Sequence, residues 1–109
     1  MSTTVSPRQA QVVPIIDKAA AAFADQHGLW PDLDLAVELL HDAHPGLMAV
    51  QVSHVIDPES TDYEYLRVES RAAGDLEEIL DHEDQFCAAL CGRMDAERRC
   101  FFAFTVIII

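Results

Sequence analysis

Cys100-Phe101-Phe102-Ala103-Phe104-Thr105-Val106-Ile107-Ile108-Ile109 carries no charge and no proline, and most of its residues are aromatic or β-branched. That composition predicts a strand with both faces buried, covered by other layers on its two sides. The carboxylate after Ile109 must find water or a base, so Ile107, Ile108 and Ile109 are expected to be costly to bury together deep within a small monomer. The strand is therefore either central, with its tip just reaching solvent, or extends across a subunit boundary. The second option points to a homodimer.

Upstream, residues 94–99 read as a charged turn into this strand. Before them, Asp75-Leu76-Glu77-Glu78 has the spacing of a capping box, with Asp75 as N-cap and Glu78 reaching back. Leu76, Ile79, Leu80, Phe86, Cys87, Leu90 and Cys91 line one helical face with Glu83 near its middle, and Gly92 is placed to stop the helix. Further back lie two alternating runs. Residues 47–56 read as a strand, Asp57-Pro58-Glu59-Ser60-Thr61-Asp62 as a turn, and residues 63–70 as a second strand. The two make an antiparallel hairpin. The charges on the second, Glu64, Arg67 and Glu69, mark it as an edge strand.

Two helices precede the hairpin. Ile15, Ile16, Ala19, Ala20 and Phe23 recur at helical spacing, in a helix that starts either near Pro7 with a kink or at Pro14, and stops at Gly28. Trp30 precedes a proline and is expected to be extended. Asp32 can cap the next helix, which Leu33, Ala36, Val37 and Leu40 stripe and His44-Pro45-Gly46 ends. The expected architecture is α+β in the order α-α-β-β-α-β, a single domain over residues 1–109 with residues 1–6 as a flexible tail.

Nineteen acids against seven bases give a net charge of −12. Such a surface repels nucleic-acid phosphates, and Arg93, Arg98 and Arg99 are the only basic cluster. The N-terminal run has neither the basic nor the apolar region of a secretory leader. No uncharged apolar run reaches the length of a membrane span. A cytoplasmic location is expected, with Cys87, Cys91 and Cys100 as free thiols.

Several clusters are candidates for chemistry. Cys87 and Cys91 are one helical turn apart, with Cys100 on the next strand. They read as core packing or, less simply, as a thiolate metal or redox site. His41 and His44 sit three apart at a helix end, and with His54 can be asked to hold a metal. Paired with Asp57 or Glu59, His54 can also be asked to act as a general base. No motif places a nucleophile, and no phosphate-binding glycine loop is present. Between Asp57 and Asp84 there are 11 acids and 2 arginines. Tyr63 and Tyr65, on one strand face, add aromatic contact area.

The run Val55-Ile56-Asp57-Pro58-Glu59, then Asp62-Tyr63-Glu64-Tyr65-Leu66-Arg67-Val68, then Asp75-Leu76-Glu77-Glu78-Ile79-Leu80-Asp81 and Phe86, resembles small uncharacterised bacterial proteins. In those a strand ending in a D-P-E turn is followed by a second strand and an acidic helix. The resemblance spans residues 47–90 and implies an accessory or antitoxin-like role, without any assigned chemistry.

The function expected is therefore that of a small acidic interaction protein, not an enzyme, acting as a homodimer or on a basic protein partner. Contact residues would be Asp57, Glu59, Asp62, Tyr63, Glu64 and Tyr65, with no cofactor, nucleic acid or membrane involved. The alternative is a metal-dependent hydrolase built on His41, His44 and His54.

Overall fold

The structure, a computed structural model, describes residues 12–59 and 63–109. Asp62 and the expected tail lie outside them. The chain is α+β, with helices and a mixed four-stranded sheet. The elements in order are β1 (Ile15–Ile16), α1 (Lys18–His27), α2 (Trp30–Ala43), β2 (Leu47–Ile56), β3 (Glu64–Ala72), α3 (Leu76–Arg93), α4 (Ala96–Arg99) and β4 (Phe102–Ile108). Sheet order follows sequence order, β1-β2-β3-β4. The outer pairs are parallel and the central hairpin is antiparallel. Two strand-helix-strand crossovers thus flank one hairpin.

The first helix starts later than its apolar spacing suggests. Ile15 and Ile16 pair with Gln51 and Val52 as a short strand. The Asp17 N–H continues that pairing to the Val52 carbonyl at 3.2 Å. Asp17 then switches role, accepting the Ala20 N–H on Oδ1 at 2.7 Å and capping α1. Gly28 ends α1 as expected, at φ 62°.

Trp30 is not extended: it opens α2 directly. The Leu33 N–H reaches the Leu29 carbonyl at 2.8 Å, so the first turn closes around Pro31, whose missing N–H costs nothing there. Asp32 does not cap α2. Its carboxylate instead receives Arg98 Nη2 at 2.6 Å and Nε at 3.0 Å, and the same guanidinium donates to the Gly28 carbonyl at 2.7 Å. This clamp ties α4 to the α1–α2 corner, and it holds the Arg98 guanidinium pKa above its ordinary value through the Asp32 hydrogen bond first.

Burial shows one covered sheet face. Val50 lies opposite Ser70, Val52 opposite Val68, and Leu66 beside Phe102, and all six are buried. They meet Phe23, Leu33, Leu40, Phe86 and Leu90 of the helices. The alternate positions, Gln51 with Glu69, Ser53 with Arg67 and Val55 with Tyr65, are exposed or half-exposed. The helices form one layer, and among the described residues no element covers the sheet's other, bare face.

Two strand assignments are reversed by this arrangement. β3, charged and expected at an edge, is internal, hydrogen-bonded to β2 and β4. Arg67, Glu69 and Arg71 sit on the bare face, where they need no cover, while Glu64, on the helical side, is paired with His54. β4, expected to be central and buried on both sides, is an edge strand. Ile107 and Ile108 are 38 % and 39 % exposed, and Ile109 is 57 % exposed.

In α3 the capping box is present, with the Glu78 N–H on Asp75 Oδ1 at 2.9 Å. Gly92 is not its stop. The helix runs to Arg93, because Arg99 Nη1 donates to the Met94 carbonyl at 2.7 Å and satisfies the end without a left-handed residue. The buried positions are Ile79, Phe86 and Leu90 only. Leu76, Leu80, Cys87 and Cys91 lie outside the core.

Candidate functional site

The hairpin tip is organised by Asp57. Its N–H donates to the Tyr63 carbonyl at 3.0 Å, closing the loop, and its Oδ1 accepts the Glu59 N–H at 2.9 Å. Tyr63 and Tyr65 stand together on the bare sheet face, ring centroids 5.2 Å apart. Tyr63 donates its hydroxyl to the Cys100 carbonyl at 3.1 Å. That bond ties the hairpin tip to the entry of β4.

Glu64 projects to the opposite, helical side. Its Oε1 accepts from His54 Nε2 at 2.8 Å, and the His54 ring stacks on Phe23 at 4.8 Å. His54 is therefore partnered by Glu64 and not by Asp57 or Glu59. His27 and Phe101 complete this aromatic group, with centroids 5.0 Å apart. Among the described residues Glu64 and Phe23 meet His54, and the pair forms a packed, polar closure of the sheet's end.

The histidines expected together are separated. His41 donates from Nε2 to the Val12 carbonyl at 3.2 Å. His44 is buried at 1 % exposure, with Nε2 on Glu83 Oε1 at 3.2 Å and its ring 5.7 Å from that of His82. Its Nδ1 is enclosed without a hydrogen-bond partner. The His44–Glu83 pair pins the end of α2 to α3. Among the described residues no three His, Cys, Asp or Glu side chains converge as a metal ligand set.

All three cysteines are exposed, not packed in the core as their helical positions suggested. The reason is rotation: Ile79, Phe86 and Leu90 define the buried direction of α3, and Cys87 and Cys91 lie well off it. Partial desolvation, then Glu83, Cys91 and Asp84, push the Cys87 thiol pKa up. Thiolate, the nucleophile and metal ligand, is disfavoured there. Alkylation of Cys87 by iodoacetamide, followed by mass spectrometry, should keep accelerating past the pH at which an ordinary thiol saturates. Glu83→Gln with Asp84→Asn should lower that onset, since each removes a negative charge. An onset at or below the ordinary thiol range would contradict this environment.

Acids outnumber bases on the helical layer, whose exposed bases are Lys18 and Arg93. Exposed acids Asp34 and Glu38 on α2 and Glu77, Glu78, Asp81 and Asp84 on α3 stud the helical layer. The bare sheet face carries Arg67 and Arg71, the latter 3.6 Å from Glu69. The hairpin and α3 acids were legible as a run, whereas the α2 acids were overlooked. Their signal is the four-residue spacing of Asp34, Glu38 and Asp42. The basic cluster dissolves on inspection: Arg98 is held by Asp32, and Arg99 by main-chain carbonyls.

An apolar cleft is lined by Val12, Val13, Ile15, Leu47, Met48, Ala49 and Val50. Among the described residues that line it there is no polar side chain. No described helix is long and apolar enough to cross a membrane. The fold and surface define a two-layer α+β protein with an acidic helical side. Comparison with protein-family models, curated proteins and solved structures gives no match for the chain.

Proposed function

We propose that this is a small cytoplasmic interaction protein, accessory or antitoxin-like in role, that binds a basic protein partner. The carrying observation is the acidic balance of the helical layer: exposed Asp34 and Glu38 on α2 and Glu77, Glu78, Asp81 and Asp84 on α3 outnumber the exposed bases Lys18 and Arg93. An extended field of one sign speeds and selects association with a partner of the opposite sign. The hairpin tip supplies Asp57 and Glu59 beside the Tyr63–Tyr65 pair, an aromatic anchor next to the acidic rim. Glu64 is less available, because His54 holds it. Asp62 belongs to the same loop by sequence.

Co-purification and mass spectrometry would identify the partner, and titration calorimetry would then measure the complex. The triple variant Asp34→Lys, Glu38→Lys, Asp81→Lys should weaken binding by about tenfold or more at low salt. Added salt should weaken the native complex in the same direction. Binding indifferent to both salt and the triple reversal would overturn the proposal.

A further inference from the structure

The fold does not use the full apolarity of β4. The Leu66 N–H donates to the Phe101 carbonyl at 2.8 Å and the Ile109 N–H to the Ala72 carbonyl at 3.1 Å. Odd-numbered residues of this segment thus bond to β3. Strand geometry then turns the N–H and C=O groups of Phe102, Phe104, Val106 and Ile108 to the outer edge. Among the described residues no strand pairs there. Edges exposed in a monomer are normally shortened, charged or broken by proline or a bulge. The opposite edge, β1, is two residues long. β4 is seven residues long, with no charge and no proline.

α3 supplies an independent observation. His82 and Ala89, on one flank, are half-buried, and His82 meets His44 at the end of α2. The other flank holds Leu76, Leu80, Cys87 and Cys91, all exposed, with Leu76 at 59 % and Leu80 at 54 %. α3 touches α2 beside it and β4 beneath it, through Phe86 on Phe104 at 5.2 Å. The exposed apolar flank, turned away from α2, therefore overlooks the free edge of β4. From Leu76 to Cys91 the flank runs about 22 Å, and β4 runs about 23 Å. Together they make one apolar strip two layers deep, on the scale of a stable protein interface, about 800 Å² per partner.

We propose that β4 pairs antiparallel with β4 of a second copy, continuing the sheet across a two-fold axis, with the two α3 flanks meeting above it. Charge selects this occupant. Each copy carries −12, so two copies approach best where neither is charged, and residues 100–109 are uncharged. A basic partner would instead be drawn to the acids of the helical layer. An axis at Thr105 gives the fullest overlap. It sets Phe102 opposite Ile108 of the second copy and Phe104 opposite Val106, using every outward backbone group. On the bare face Ala103 meets Ile107, and Thr105 meets its own counterpart. Glu83 and Asp84 lie beside Cys87 on the α3 flank, so added salt should tighten the dimer. That sign is opposite to the one expected for a basic partner, and the two proposals fail separately.

Sedimentation equilibrium over a concentration series tests this on the full chain. The native protein should be a dimer that tightens with salt. Val106→Pro should be monomeric with an unchanged far-UV spectrum, because the N–H it removes points away from β3. Leu80→Glu, at a site exposed in the single chain, should weaken the dimer by about tenfold or more. If the proline variant loses its fold, Thr105→Cys reads the same geometry in a background with Cys87, Cys91 and Cys100 changed to serine. Facing residues at a non-hydrogen-bonded position suit a disulfide, so oxidation should link two chains. A native protein monomeric throughout, a folded Val106→Pro or Leu80→Glu variant that dimerises as tightly as the native protein, or no inter-chain link through Thr105→Cys would each overturn the proposal.

Discussion

Phe86→Ala should lower stability by about 3–5 kcal/mol, the cost of emptying a fully buried aromatic site. Phe86 is 0 % exposed at the middle of α3, set edge-on to Phe104 at 5.2 Å, with Phe102 stacked on Phe104 at 5.7 Å. Those contacts are how the helical layer holds an edge strand. Within one chain β4 pairs, among the described residues, with β3 alone, so its contacts with the helical layer carry the rest of its attachment. A domain of this size has about 5–15 kcal/mol to lose. The melting temperature should fall by about 15 °C or more. In urea the midpoint should drop with the slope preserved, the mark of a stability change without a change in the exposed surface. A loss below about 1 kcal/mol would mean that α3 and β4 are not joined as described.

What the sequence disclosed and what it concealed follow from what each signal measures. Capping and turn chemistry are local, so the Asp75–Glu78 box, the Gly28 stop and the end of α2 before Pro45 could be read directly. Alternation along residues 47–56 and 63–70 marks two strands for the same reason. Alternation reports which face a residue occupies, however, and not which neighbours a strand has. Arg67, Glu69 and Arg71 are compatible with the sheet interior because one sheet face is bare. Apolarity misled in the opposite sense. The composition of residues 100–109 implies a strand buried on both faces, but β4 is covered on one face, stands at the edge and leaves its isoleucines exposed.

The α3 helix shows the same limit at finer scale. Its apolar residues spread over more than one face, and sequence spacing alone merged Leu76, Leu80, Cys87 and Cys91 with the true core stripe. The sheet beneath separated them, selecting Ile79, Phe86 and Leu90. The candidate site was partly legible in this way. Tyr63 and Tyr65 did share an open face, and Asp57 and Glu59 did share a loop. The His54–Glu64 and His44–Glu83 pairs depended on tertiary contacts, 10 and 39 residues apart, that no local pattern announces.

The two halves of the fold meet at Gly46, and there a single methyl group should have its largest backbone effect. Gly46 lies between the end of α2 and the start of β2. The Ala73 N–H donates to its carbonyl at 2.9 Å, and a Cβ built on Gly46 would collide with the Ala73 carbonyl oxygen. Neither side can yield cheaply. Leu47 is held in register opposite Ala72, while Gly74, at φ 150°, and the Asp75 cap fix the entry to α3. Gly46→Ala should therefore cost about 3 kcal/mol, toward the upper end for a forced backbone shift. Gly92→Ala is the matching control. Gly92 is inside α3, has a negative φ and no atom within 4 Å of an added Cβ, so the same change should stabilise by about 0.5–1 kcal/mol. Opposite signs in parallel urea melts would locate the constraint at the crossover junction. Equal effects would mean that the Gly46–Ala73 approach does not hold α2 and α3, and the acids they carry, in one layer.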